Sequence, residues 1–581
     1  MKAFITASLA GSLAFLSATA LLLSQSRTFV PVTSQMLLNP SPNDWLMYNR
    51  TYDSQRYSPL KQIDKSNVDQ LRMVWTRGQG AGSQEGIPLV HDGVMYLMAP
   101  GAAIQALDAT NGNLIWEYQR KLPANQASQA RSKTIGMWED MVYTTTPDSF
   151  LVALDAKTGE MRWETKTDTR GNISGAVIAG DKVISGGSCT GNHVNCYISA
   201  HDAKTGKLLW KFATAANTGE PGGDTWGNTP DDKRFASTWG GPGTYDPSTN
   251  SVIYGVANPT PNTRVERHGD AFSVPTSGPV DLFSDSTISI NADTGKLNWY
   301  YQHLAGDDWD EDWTDDRLLA STTLNPTAAT AKWFNNKLKP GEKRDVVIAT
   351  GESGGVFAMD RHTGEFLWAN PWPFDVSNFL IDKVDPDGKV HLNESLIFTG
   401  PSQHKTICFF NTRSYWSQAY SPVTNSLYAP WVDTCLDMQT GPMFPTVRPV
   451  RNGKVREGSN PKEFSGVSKI NLATGKIEHI YKGAAPINGA ILATASDLIF
   501  FGDLDRRLRA LDATSGKVLW EQTIGGPIAN STITYAVNGQ QYIAVATGDG
   551  LLTQSVIGYA PGLNPPKGAN AIYVFALPQK K

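Results

Sequence analysis

The chain has no run of five like charges, and only 18% of its 581 residues are charged, for a net charge of −4. Such a balance provides neither a basic field to gather nucleic acid nor a charged tail, so nucleic acid is excluded as a partner. No Cys-x-x-Cys-His occurs, so haem is not attached covalently. Cysteines number only four; the even count is compatible with two disulfides in an oxidising compartment or with free buried thiols. A helical-bundle composition is also missing: 53 Gly, 34 Pro and 17 Trp describe many short strands and turns.

The one long apolar run lies at the N-terminus, from Ala3 to Leu23, preceded by Lys2 and followed by Ser24, Gln25, Ser26 and Arg27. It reads as a signal peptide over residues 1–26, which places the mature chain, 27–581, in the periplasm as a single domain. The run lacks a small-x-small cleavage site, and about 20 apolar residues suffice to span a bilayer, so an uncleaved anchor is the alternative. The absence of a strongly basic flank favours cleavage.

A short pattern recurs along the chain: an apolar strand, Asp or Asn, two residues, Thr or a substitute, Gly, three residues, Trp. Its copies run from Asp108 to Trp116, Asp155 to Trp163, Asp202 to Trp210, Asn291 to Trp299, Asp360 to Trp368, Asn471 to His479 (His replacing Trp) and Asp512 to Trp520. Each is a hairpin: the Asp or Asn folds onto its own backbone and the Gly supplies a positive φ. A lone hairpin cannot cover its Trp, whereas a ring of radially packed four-stranded sheets can. The expected fold is therefore all-β, an eight-bladed β-propeller with Trp-containing hairpin repeats. Its eighth blade is to be closed by pairing Val74, Trp75 and Thr76 with the strand from Ala571 to Phe575. Trp116, Trp163 and Trp210 are 47 residues apart, but the following intervals are 89, 69 and 111. The inserted loops are where binding residues are expected.

This hairpin resembles the repeat of the pyrroloquinoline quinone (PQQ)-dependent alcohol dehydrogenases. The resemblance runs from about Asp44 to about Phe575 and is nearest the haem-free branch containing sorbose and sorbosone dehydrogenases. It implies a PQQ- and metal-dependent oxidation of an alcohol, weakly favouring a secondary, sugar-like or bulky one. Electrons would pass to a separate acceptor such as cytochrome c, and a homodimer is one assembly to test. The segment Gln84-Glu85-Gly86-Ile87-Pro88-Leu89 resembles the stretch whose Glu meets a cofactor carboxylate, giving that role to Glu85. Ser237-Thr238-Trp239-Gly240 resembles the platform for the quinone, giving Trp239 the stacking role.

Gly255-Val256-Ala257-Asn258-Pro259 is similar to the strand end whose Asn carbonyl binds the metal, and Asp307-Asp308-Trp309-Asp310-Glu311-Asp312 to the Trp-Asp motif of the catalytic base. The resemblance thus implies Asn258 and Asp310 as metal ligands and Asp310 as the proton acceptor. The loop from Ser188 to Tyr197 matches the one that supplies a metal-binding Glu, with Ser188 counted among the cofactor-binding residues. Gly191 stands where the Glu belongs. Asp312, where lanthanide-using members carry an extra acid, is expected to compensate, which leaves Ca²⁺ and a lanthanide both open.

Two further departures affect the quinone contacts. Adjacent cysteines are missing near residues 126–133, where Arg131 and Lys133 remain to reach a cofactor carboxylate. Glu352 stands where the family has Arg or Lys, so the cation is expected from elsewhere, with Arg413, near Tyr415 and Trp416, as the candidate; Glu352, Arg413 and Trp416 are carried as cofactor-binding residues. The resemblance pairs Cys408 with Cys435. Cys189 with Cys196 would pin the metal loop, against a zinc site that also uses His193. Competing readings are a non-enzymatic envelope propeller scaffold, and a lyase or glycosidase using Asp307 and Asp310 as paired acids.

Overall fold

The computed structural model describes residues 29–123, 133–167, 174–187, 189, 196–560 and 562–579. The expected signal peptide 1–26 and the candidates Arg131, Ser188, Gly191 and His193 lie outside the described residues. Antiparallel four-stranded meanders follow one another along the chain as the β-propeller requires, over residues 89–119, 136–166, 176–213, 244–302, 318–370, 419–483 and 492–523. A further sheet joins the two ends of the chain. Its outer strand Arg72–Gly78 pairs antiparallel with Ala571–Ala576, with Trp75 opposite Val574 and Thr76 opposite Tyr573. The closure expected from the sequence is therefore present.

The hairpin motif works in two parts. The Asp or Asn side chain accepts from backbone N–H groups two or three residues on: Asp108 from Thr110 at 2.8 Å, Asp155 from Thr158 at 2.8 Å, Asn291 from Thr294 at 3.0 Å. The Trp of one sheet then docks on the Gly turn of the next. Trp75, Trp116, Trp210 and Trp299 donate Nε1–H to the carbonyls of Ala109, Ala156, Ala292 and Arg361 at 2.9–3.2 Å. A Cβ on Gly112 or Gly159 would stand 2.5 Å from the docked ring. Glycine is thus required by close approach as well as by its positive φ. Where His479 replaces Trp the seam differs: the imidazole turns to Ser468 Oγ at 3.0 Å, and the backbone of Ile480 fills the space over Gly516.

The long interval before His479 contains a hairpin, Ile381–Val384 with Val390–Leu392, and a three-stranded sheet of His404–Cys408, Thr434–Gln439 and Val450–Val455. Residues 45–56 cross the ring as a strap. Tyr48 donates to Tyr415 O at 3.0 Å, and buried Arg56 donates to Ile491 O at 2.7 Å and to Thr532 O. The backbones of Leu319 and Tyr420 donate to Asp53 O and Gln55 O. The strap thereby fixes the floor under Tyr415. No helix among the described residues is long and apolar enough to cross a membrane.

Candidate active site

One wall of the site is aromatic and cationic. Lys133 has a fully buried side chain; its ammonium lies 3.7 Å from Glu85 Oε2 and donates to Trp239 O at 3.2 Å. It stands 5.3 Å from the ring centroid of Trp239 and 4.8 Å from that of Tyr415, within cation–π range of both. Trp239 and Tyr415 meet edge to face at 6.5 Å, and Tyr415 meets Trp416 in the same way at 5.4 Å. Glu85 is buried; Oε1 accepts from Leu551 N, while Oε2 has no hydrogen-bond partner among the described residues. Trp416 is wholly buried and its Nε1 is likewise unpartnered.

The other wall is acidic, and its shape comes from one turn. Asp307 accepts from the backbone N–H of Trp309, of Asp310 at 3.0 Å and of Glu311 at 2.8 Å. Both of its oxygens accept within the turn and the side chain is buried, so its geometry serves the turn and nothing sets it across a cleft from Asp310 as the second acid of a glycosidase pair. The turn holds Asp310 in the left-handed region at φ 66°. Asp310 Oδ2 is engaged by both Arg448 and Arg451. Asp312 ties the two walls together: Oδ1 accepts from Asn258 N at 3.0 Å and Oδ2 from Trp239 Nε1.

Burial, and then the neighbouring Asp310, push the Asp312 carboxyl up to about 7. Burial, followed by Asp312 and Glu311, raises the Glu352 carboxyl well above its ordinary value. Burial raises Glu311 in the same way.

Arg413, the cation expected to serve this wall, is committed elsewhere. It pairs with Asp315 at 2.8 Å and with Asp316, and donates to Thr350 Oγ1 at 2.8 Å. Burial nevertheless lifts Asp315 to about 7, because one guanidinium faces two carboxylates. The arginines that reach Asp310 are Arg448 and Arg451, which sequence reasoning missed because they sit in a late insertion. It also missed Asp285, wholly buried beside Asp307 and Asp312, with neither oxygen partnered among the described residues. Both disulfides, Cys189–Cys196 and Cys408–Cys435, are formed, which removes the zinc alternative at His193.

The residues fit an anionic planar cofactor beside a hard cation. A buried ammonium between two aromatic rings suits a planar ring bearing carboxylates. The acidic wall offers oxygen donors only, with orphaned oxygens on Asp285 and Glu311. Among the described residues no three acid, His or Cys groups already converge as a closed metal site; Asp310 and Asp312 are each turned onto N–H donors.

The fold and this pairing of walls define a quinone-binding dehydrogenase propeller. A family model described as PQQ: Glucose/ethanol/alcohol dehydrogenase, beta-propeller domain, matches residues 45–371 and 463–543. Quinohemoprotein alcohol dehydrogenase ADH-IIG of Pseudomonas putida is 29% identical over 562 residues, covering 88% of this chain and 73% of that protein. The dehydrogenase subunit of the quinone alcohol dehydrogenase of Gluconobacter oxydans is 30% identical over 610 residues, covering 94% and 75%. Among solved structures, ADHIIG from Pseudomonas putida HK5 superposes with a TM-score of 0.79 at 26% identity, covering 94% of this chain and 83% of that one. A europium-containing methanol dehydrogenase gives 0.80 at 25% identity, covering 93% and 99%.

The chain belongs to the PQQ-dependent alcohol dehydrogenase family. It is an oxidoreductase that oxidises alcohols with PQQ and a Ca²⁺ or lanthanide ion. The scaffold reading gives way to this.

Proposed function

We propose that the two walls form one active site in which Asp310 takes the hydroxyl proton of the alcohol. The observation that carries this is Asp312, whose two oxygens bind Trp239 Nε1 on one side and Asn258 N on the other, two residues from Asp310. Trp239 is the stacking platform; Glu85 and Lys133, with Arg131, Ser188 and Trp416, bind the cofactor's edge. Asn258, Asp310 and Asp312 hold the ion, Asp312 standing in for the acid missing at Gly191. Glu352 lines the site as a cofactor-binding residue. When bound, PQQ accepts hydride from the substrate carbon and the ion polarises the quinone oxygens. Arg448 and Arg451 orient Asp310 as a proton acceptor through charge-assisted hydrogen bonds.

The substrate is a secondary, sugar-like or bulky alcohol, and the electrons leave to a separate acceptor such as cytochrome c. The site of action is the periplasm, reached through the segment 1–26, with the homodimer as the assembly to examine. Reconstituting apo-protein with PQQ and Ca²⁺ or La³⁺, then screening alcohols with a dye acceptor, tests the reading. Turnover that needs both PQQ and metal is expected; no retained quinone absorbance and no turnover would overturn it.

A further inference from the structure

We propose that Arg451 is the positioning residue for Asp310, supplying from an inserted sheet the cation that position 352 lacks. The inference rests on Asp310 being the proton acceptor. Arg451 makes three contacts on that turn: Nη1 to Asp310 Oδ2, Nη2 to Asp310 O at 2.9 Å, and Nη2 to Glu311 Oε1 at 3.4 Å. It therefore grips the carboxylate and the backbone of the one residue of the turn held in the left-handed region. Arg448 reaches Oδ2 alone and is 42% exposed at its side chain, against 20% for Arg451. The less exposed guanidinium of Arg451 is held in turn, with its Cζ 5.2 Å from the Phe410 ring centroid.

The element that delivers it is built for a fixed position. Arg451 pairs with Met438 in the strand Thr434–Gln439, and that strand is tied by Cys435 to Cys408 of its other neighbour. All three strands fall between the two spans matched by the family model, 45–371 and 463–543. The cation thus comes from a part of this chain that the family model leaves out. Glu352 is among the acids that Arg451 faces, with Asp310, Glu311 and Asp307. The charge that a basic residue at 352 would bring is present, but it arrives from the strand Val450–Val455. Because the guanidinium occupies Oδ2 and the main-chain carbonyl, it leaves Oδ1 of Asp310 as the oxygen that can face a substrate hydroxyl.

The test uses the full chain reconstituted with PQQ and metal, comparing R451A, R451K, R448A, D310N and the double variant E352R/R451A. Cofactor affinity is read by tryptophan quenching, and kcat and KM by dye-coupled turnover. R451A should lower kcat about 100-fold, the size of penalty for a misplacement of ~1 Å, with KM and PQQ affinity little changed. R451K should recover part of the loss, R448A should lose less than R451A, and E352R/R451A should exceed R451A. Unchanged kcat in R451A, or a fall in kcat matched by an equal loss of PQQ affinity, while D310N is inactive, would overturn the role of Arg451; a double variant no better than R451A would overturn the exchange with position 352. An active D310N would instead remove the proton-acceptor reading itself. Should R451A fail to fold, R451K carries the test through the split between kcat and KM.

Discussion

At one seam Trp75 lays its ring on Gly112 and donates to Ala109 O; at the next Trp116 does the same to Gly159 and Ala156. At the mouth nothing repeats: Asp285, Asp310, Glu311, Asp312 and Glu352 crowd together from three regions of the chain, with burial and mutual repulsion raising Asp285, Glu311, Asp312 and Glu352. At these seams the indole N–H is satisfied by a carbonyl of the next sheet, whereas the mouth leaves oxygens of Asp285 and Glu311 unpartnered. Stability is stored where the pattern is regular, and chemistry sits where polar groups are left wanting partners.

The same difference can be pressed from both sides. Ending the chain after residue 570 removes the strand Ala571–Ala576 from between its two partners. It should abolish cooperative unfolding by circular dichroism; a normal melt would mean that closure is dispensable. Asp312→Ala acts on the mouth alone: metal-dependent turnover should disappear while the melting temperature of the metal-free protein holds, and retained turnover would separate Asp312 from the ion. Trp299→Ala strikes a seam and should cost about 3–5 kcal/mol in urea unfolding, leaving KM for the alcohol unmoved.

The smallest effect is a slope. Asp315 is ordinary in the unfolded chain, near 3.8, but about 7 when folded. The folded form therefore holds a proton that the unfolded form releases, and its contribution to stability is complete below about pH 4 and lost as pH rises to about 7. The stability difference between wild type and Asp315→Asn should decline over that window, and an increase would contradict the assignment.

Much of the ring could be read from residues because each hairpin is local: Asp, Thr, Gly and Trp lie within nine positions, and their bonds are made within the motif or to the next copy. The closing pair of Trp75 and Val574 was legible for the same reason, since an unpaired outer strand needs a partner. Glu85, Lys133, Trp239, Asn258, Asp310 and Asp312 stand on short motifs, and the structure brings them to one place. Arg451 could not be found that way. Its distance from Asp310 in sequence is large, its strand Val450–Val455 alternates weakly, and only the fold carries it across the mouth. Arg413 misled for the converse reason: its position near Tyr415 and Trp416 suggested the cofactor, but Asp315 and Asp316 had already taken its charge. Asp307 looked like a catalytic partner of Asp310 until its oxygens were seen to be spent on backbone N–H groups.

The most direct test of the account is Asp310→Asn in protein loaded with PQQ and metal. The variant should keep the quinone absorbance of the wild type and lose at least about 100-fold in kcat, as expected when a general base is removed. Wild-type turnover from the variant, with the cofactor bound, would contradict it.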